Sequence, residues 1–248
     1  MTTDTKTNRV AIVTGGSGGI GRQTAERLAA DGMAVVVCYA GNPGPAKDAV
    51  AAIEDGGGTA MAAQADVADE AAVAALFDAA EQAYGGVDVV VHTAGVMLLS
   101  PLADLNLADF DTMHRINVRG LLVVGQQAAR RLRRGGALIN FSSSVVKIAL
   151  TGYTGYAATK GAVDAITLIL AKELRGRDVT VNAVAPGPTA TDMFLEGKDQ
   201  ELLNRLANAV PLERLGVPGD IAPAVAFLTS PAGHWINGQT VRVNGGII

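Results

Sequence analysis

Short apolar runs of strand length alternate with longer stretches of helical period along this chain, and that alternation constrains the fold more than any other feature. Residues 10–13, 34–38, 59–63, 87–92, 137–141, 179–184 and 240–243 read as seven strands. Between them, 20–30, 46–53, 69–83, 109–134 and 155–175 carry helical spacing. Asp69 is a predicted N-cap, and the helix over 109–134 is expected to break near Ile116-Asn117. A strand that is returned by a helix pairs in parallel with its predecessor, and right-handed crossovers then place helices on both faces of the sheet. Strands covered on both faces read as unbroken apolar runs, as Val35-Val36-Val37 and Val89-Val90-Val91 do. The expectation is an α/β fold: one doubly wound domain over 9–248 around a mostly parallel, seven-stranded sheet. The polar, threonine-rich stretch 1–8 reads as a flexible N-terminal tail without the apolar centre of a secretory signal.

Composition narrows the function classes. The 248 residues suffice for one substantial core, and with 4% aromatics that core must be built from small aliphatic side chains. The one cysteine, Cys38, excludes an internal disulfide and any zinc site built on several thiolates, so no metal is expected. Twenty basic against 24 acidic residues give a net charge of −4, which argues against a nucleic-acid binder. The one basic cluster, Arg130, Arg131, Arg133 and Arg134, reads as a solvated helix end. No run approaches the roughly 20 apolar residues needed to cross a bilayer, so neither membrane nor nucleic acid is an expected partner and a cytoplasmic location is expected.

Between the first strand and the first helix stands Thr14-Gly15-Gly16-Ser17-Gly18-Gly19-Ile20-Gly21. A dinucleotide's pyrophosphate needs backbone N–H donors at a helix N-terminus and no Cβ atoms in the way. A P-loop would place Lys and Ser or Thr after the last glycine, but Arg22-Gln23 follows. The same residues satisfy G-x-S-x-G, with His234 available downstream, yet a hydrolase's nucleophile turn follows several strands and this one follows the first. The second strand decides between nucleotides. An NAD site places a carboxylate at its end, whereas Cys38-Tyr39-Ala40-Gly41-Asn42 carries none. That absence favours NADP and leaves NAD possible; Arg22 and Lys47 are candidate partners for the extra phosphate.

Tyr156 and Lys160 stand four residues apart at the start of a predicted helix and so share a face. A phenol with an ordinary pKa of about 10 is a poor base at neutral pH, and a nearby ammonium stabilises the phenolate and lowers that value. Ser142-Ser143-Ser144 end a predicted strand at the rim where open α/β sheets place ligands. A hydroxyl there can hydrogen-bond a substrate oxygen as charge develops on it.

Taken in order, Thr14-Gly15, Gly19-Ile20-Gly21, Asp66, Ala94-Gly95, Asn117, Ser143, Tyr156, Lys160 and Pro186-Gly187 resemble the marks of the short-chain dehydrogenase/reductase family, its 3-oxoacyl reductase-like branch included. The likeness runs from Arg9 to the C-terminus and implies a Rossmann fold. By resemblance, Tyr156 is the general acid/base, and Lys160 lowers its pKa and binds the nicotinamide ribose. Ser143, chosen from the three serines by its spacing to Tyr156, holds the substrate oxygen, and Asn117 interrupts a helix and anchors a proton-relaying water. The implied cofactor contacts are Gly15, Ser17, Gly18, Gly19, Ile20, Tyr39, Ala40, Asp66, Val67, Ala94, Gly95, Tyr156, Lys160, Pro186, Gly187, Thr189 and Thr191. One departure stands out: His92-Thr93 replaces the family's usual Asn-Asn, which puts the bracing of the sheet there in doubt. His92 itself reads as strand-end packing, and His114 and His234 receive no role.

Residues 188–215 resemble the family's substrate lid, mixing Thr191, Asp192 and Lys198 with Met193, Phe194 and Leu195. Val145, Val146, Ile148 and Leu150 are expected to wall the site beside Ser143. The implied substrate is a small carbonyl or alcohol on a moderately apolar body. The resemblance also implies a homotetramer, to which the alanine-rich face Ala157, Ala158, Ala162 and Ala165 would contribute. A nucleotide-binding regulatory or scaffold protein of the same fold, without turnover, is the competing reading; the intact Asn117, Ser143, Tyr156 and Lys160 set counts against it.

Overall fold

The computed structural model describes residues 9–248, and the tail expected over 1–8 lies outside the described residues. The chain runs β1 Val10–Thr14, α1 Gly19–Ala30, β2 Ala34–Tyr39, α2 Gly44–Asp55, β3 Thr59–Gln64, α3 Glu70–Tyr84 and β4 Val87–His92. There follow α4 Leu107–His114, α5 Gly120–Arg131, β5 Leu132–Phe141, α6 Val145–Ile148, α7 Thr154–Glu173 and β6 Val179–Pro186. The last part holds α8 Asp192–Leu195, α9 Gln200–Asn208, α10 Pro218–Thr229 and β7 Thr240–Val243.

All seven strands pair in parallel, in the order β3-β2-β1-β4-β5-β6-β7. The expected sheet was mostly parallel; it is wholly so. Strands added outward from β1 run one way through β2 and β3, and those from β4 onward run the other. The crevice at the carboxyl ends of β1 and β4 is therefore the switch point at which such sheets bind ligands.

Alternate residues of the central strands bury against two helical layers. Val13, Val35, Val37, Val91 and Ile139 pack with Leu28 of α1 and Ile221 and Val225 of α10. Ile12, Val36, Val90 and Leu138 pack on the other face with Leu76 and Phe77 of α3 and Val123 and Val124 of α5. Cys38 is buried here and free, its thiol pushed up to about 12 by burial.

Three expectations need correction. The helix expected to run to residue 134 stops at Arg131, because Leu132 already opens β5 and is buried against β4. The arginine cluster is consequently divided and paired rather than a solvated helix end. Arg131 grips Glu81 and Asp78, and Arg133 pairs with the carboxylate of Asp88. Helix α10, to which no expected element corresponds, carries Pro218 in its first turn and Pro223 inside it, so turn-forming residues mask a segment that buries Ile221, Ala222, Val225 and Leu228.

Candidate active site

At the end of β1 the backbone turns through Gly15 (φ +67°) and Gly19 (φ +51°) into α1, conformations that glycine adopts without the Cβ penalty. The packing is close on one side only. A Cβ on Gly21 would lie 2.2 Å from the Gly15 carbonyl oxygen and 2.5 Å from Thr93 Oγ1, whereas one on Gly18 would meet nothing within 4 Å. Gly18 is the N-cap of α1 and offers no side chain to the first-turn N–H groups. Those donors face the open side, at the positive end of a 12-residue helix. The turn thus fits a bound pyrophosphate.

His92-Thr93 braces this turn in place of the two asparagines. His92 Nδ1 and the Thr14 hydroxyl are hydrogen-bonded at 2.9 Å, and the Thr93 hydroxyl donates to the Thr14 carbonyl at 2.6 Å. His92 is buried, its Nε2 without a partner, and burial together with the Lys160 ammonium pushes its pKa down to about 3. It is a neutral structural residue. His234, to which the sequence assigns no role, sits 3.0 Å from Asp178 on the surface.

The break expected near Ile116-Asn117 is a π-helical turn, Arg115–Arg119, between α4 and α5. The extra residue in that turn aims Asn117 inward. Its Nδ2 donates to the Val96 carbonyl at 2.9 Å and to Thr159 Oγ1 at 3.1 Å, and its Oδ1 accepts from Val96 N–H at 2.9 Å. Gly95 leaves the opening: a Cβ there would stand 3.1 Å from Asn117 Oδ1 and 3.7 Å from Lys160 Nζ.

Tyr156 and Lys160 occupy the first two turns of α7. Lys160 is buried, and its ammonium donates to the Phe141 carbonyl at 2.8 Å while lying 5.6 Å from the Tyr156 ring centre. Desolvation lowers Lys160 to about 8, with Asp164 pulling the other way. Burial also raises the Tyr156 phenol well above its ordinary range, and the Ser143 hydroxyl only partly offsets this. Burial governs the phenol here, and Tyr156 is protonated at neutral pH. Of the three serines, Ser142 donates to the Lys160 carbonyl and Ser144 to the Ala185 carbonyl, both buried. Ser143 is bound to neither carbonyl: its Oγ accepts from Val145 N–H at 3.3 Å and is hydrogen-bonded to the Tyr156 hydroxyl.

One cavity of about 360 Å³ gathers these groups. Gly15, Gly18, Gly19, Ile20, Ala94, Gly95, Ser143, Tyr156, Lys160, Pro186, Gly187, Thr189 and Thr191 line it, as expected for one site. Asn117 lies behind its wall. Five expected cofactor contacts, Ser17, Tyr39, Ala40, Asp66 and Val67, stand outside the cavity along the rim formed by the glycine turn and the ends of β2 and β3. The Asp66 carboxylate caps Ala68 N–H and pairs with Arg115, which hold it below the usual carboxylate range. Arg22, a candidate phosphate partner, is paired with Glu26.

Sequence reasoning missed Val96, Met97, Tyr153 and Leu206 as lining residues. The first two directly follow Ala94-Gly95 past β4, so their place at the rim is implicit in the strand assignment; Leu206 and Tyr153 come in only through tertiary packing. Val146 and Leu195, expected beside the site, do not line it. The segment containing α8 and α9 leaves and rejoins the body at adjacent points, tied by Ala190 N–H to the Gly216 carbonyl and Gly216 N–H to the Pro188 carbonyl, both 2.8 Å. Among the described residues no group of three or more His, Cys, Asp or Glu can hold a metal ion, and no helix is long and apolar enough to cross a membrane.

Comparison with known proteins gives this geometry its relatives. A family described as enoyl-(acyl carrier protein) reductase matches residues 15–248. A short-chain type dehydrogenase/reductase of Picea abies is 44% identical over 96% of this chain and 92% of its own. The NADPH-dependent aldehyde reductase 2, chloroplastic, of Arabidopsis thaliana is 40% identical over 97% and 94%. A short chain dehydrogenase from Burkholderia cenocepacia J2315, solved in complex with NADP, superposes with a TM-score of 0.90 at 39% identity, covering 97% of this chain and 98% of that one. Sheet order, glycine turn and near-full-length similarity agree, and the chain belongs to the short-chain dehydrogenase/reductase family.

Proposed function

We propose that this protein is an NADP(H)-dependent oxidoreductase that interconverts a carbonyl compound and its alcohol, with Tyr156 as the general acid/base. The observation that carries the reading is the single cavity in which Ser143, Tyr156 and Lys160 meet the glycine turn and the Pro186–Thr191 segment. When bound, NADPH supplies the hydride that adds to the carbonyl carbon. The Ser143 hydroxyl donates a hydrogen bond to the carbonyl oxygen, and the Tyr156 hydroxyl delivers the proton that completes the alcohol. Burial keeps that phenol protonated, which suits the reductive direction. Lys160, lowered to about 8 and held by the Phe141 carbonyl, stands behind Tyr156 to stabilise the phenolate left after transfer.

Backbone donors of the turn, Gly18 to Ile20, hold the pyrophosphate, and Pro186, Gly187, Thr189 and Thr191 hold the nicotinamide end. NADP is favoured because no acid ends β2 and because similar proteins are NADPH-dependent or were solved with NADP; NAD is the second choice. The segment 188–215 closes as a lid. The 3-oxoacyl branch shares only the acyl chain with the family description, since an enoyl reductase reduces a carbon–carbon double bond and not a carbonyl. We further infer a homotetramer in a cytoplasmic setting, with exposed Leu122, Leu168 and Ile169 forming one contact and exposed Phe227 and Trp235 another. A panel of ketones, aldehydes and alcohols, scored by nicotinamide absorbance with each cofactor separately, tests the assignment. Turnover with NADPH and an apolar carbonyl supports it, and no turnover with either cofactor overturns it.

A further inference from the structure

The cavity divides into a polar floor and an apolar outer half. Val96, Met97, Ile148, Leu150, Tyr153 and Phe194 form much of that outer half, in front of Ser143 and Tyr156. Among the described residues, only two side chains with full charges line the cavity. One is Lys160, buried and already engaged by the Phe141 carbonyl. The other is Asp192, exposed at the start of α8 and free of any hydrogen bond or ion pair among the described residues. Nearby cations do not compensate: Lys147 on α6 and Lys198 after α8 do not line the cavity, and the Lys198 ammonium lies over the Phe194 ring at 4.7 Å. Among the described residues no lining cation is left to pair with an anion on the substrate, and an unpaired anion is strongly disfavoured by burial. A carboxylate at the mouth also feels Asp192 as a like charge across a partly desolvated gap.

Resting on the reductase reading above, we propose that the enzyme selects uncharged carbonyl compounds with apolar bodies and rejects those bearing a carboxylate near the carbonyl, and that Asp192 is the specificity-determining residue at the mouth. Met97 and Met193, unbranched and easily repacked, let the outer half accept bodies of varied shape. Selection is therefore by charge more than by outline.

A matched series isolates charge: methyl 4-formylbenzoate, 4-carboxybenzaldehyde and 4-(trimethylammonio)benzaldehyde carry the same aldehyde on the same ring. The expected kcat/KM with NADPH is at least about tenfold higher for the ester than for the carboxylate, with the cationic aldehyde above the carboxylate. Asp192→Asn narrows the ester-to-carboxylate ratio severalfold and Asp192→Lys narrows it further, and added salt narrows it in the wild type but not in Asp192→Asn. Equal use of ester and carboxylate, or a ratio unmoved by both substitutions, overturns the proposal. Calorimetric binding of the three corresponding benzyl alcohols to the protein with NADP+ is measured alongside. If no aldehyde is reduced, the reductase reading fails, while the order of alcohol binding still decides for or against charge selection.

Discussion

Asn117 holds the backbone of Val96 from both sides, its Oδ1 accepting from Val96 N–H and its Nδ2 donating to the Val96 carbonyl, each at 2.9 Å. The π-helical turn that aims Asn117 inward thereby fixes the strand-end segment that carries Gly95 past Lys160 and Val96 into the cavity wall. Asn117→Ala removes both bonds and the buried one to Thr159, leaving part-buried backbone groups of Val96 unpaired at a cost of about 1–3 kcal/mol. The expected outcome is a lower melting temperature together with a fall in kcat larger than the change in KM, measured by calorimetry and steady-state kinetics on the same preparations.

Glycines 18 and 21 separate packing from binding. Gly21→Ala drives a Cβ to 2.2 Å from the Gly15 carbonyl oxygen, so the turn must shift. NADPH binding, followed by nicotinamide fluorescence, is expected to be lost and the fold weakened. Gly18→Ala meets no neighbour and has ordinary extended backbone, so the melting temperature stays at the wild-type value. Its Cβ projects toward the side assigned to the cofactor, and NADPH affinity falls.

Acid stability reports on His92. Burial and Lys160 push this imidazole down to about 3, whereas in the unfolded chain it protonates near about 6.5. Between those values the unfolded state binds the extra proton, so stability is lost as pH falls through that window, by at most ~1.4 kcal/mol per pH unit from this group. Denaturant titrations of wild type and His92→Asn at about pH 7 and about pH 4.5 check the sign. The variant is expected to lose less stability on acidification, and equal losses contradict a buried neutral His92.

Trp235, 99% exposed and the one tryptophan in the sequence, marks the proposed second subunit contact beside Phe227. Trp235→Asp is expected to convert tetramers to dimers in light scattering, with folding intact. Tetramers that survive it remove this face from the assembly.

Much of this was legible in the residues because the strongest signals are local. Apolar runs gave six of the seven strands to within two residues at either end, and Asp69 caps α3 as its type requires, accepting from Ala71 and Ala72 N–H. The glycine spacing and the Tyr156–Lys160 pair fell in one cavity because strand ends in a parallel sheet all open on the same rim. What escaped depends on packing. Leu132 passes from helix to strand within a continuous arginine-rich stretch, and α10 hides behind Pro218 and Pro223. The burial that raises the Tyr156 phenol escaped for a related reason: helical spacing places the ammonium on the same face but says nothing of desolvation.

The most direct measurement on the central claim is a single substitution, Tyr156→Phe, read by two assays. Removing only the hydroxyl takes away the proton donor while leaving the ring in the wall. NADPH-linked turnover is expected to fall about 10²–10⁴-fold with NADPH affinity close to wild type. Turnover at the wild-type rate in that variant would contradict Tyr156 as the proton donor.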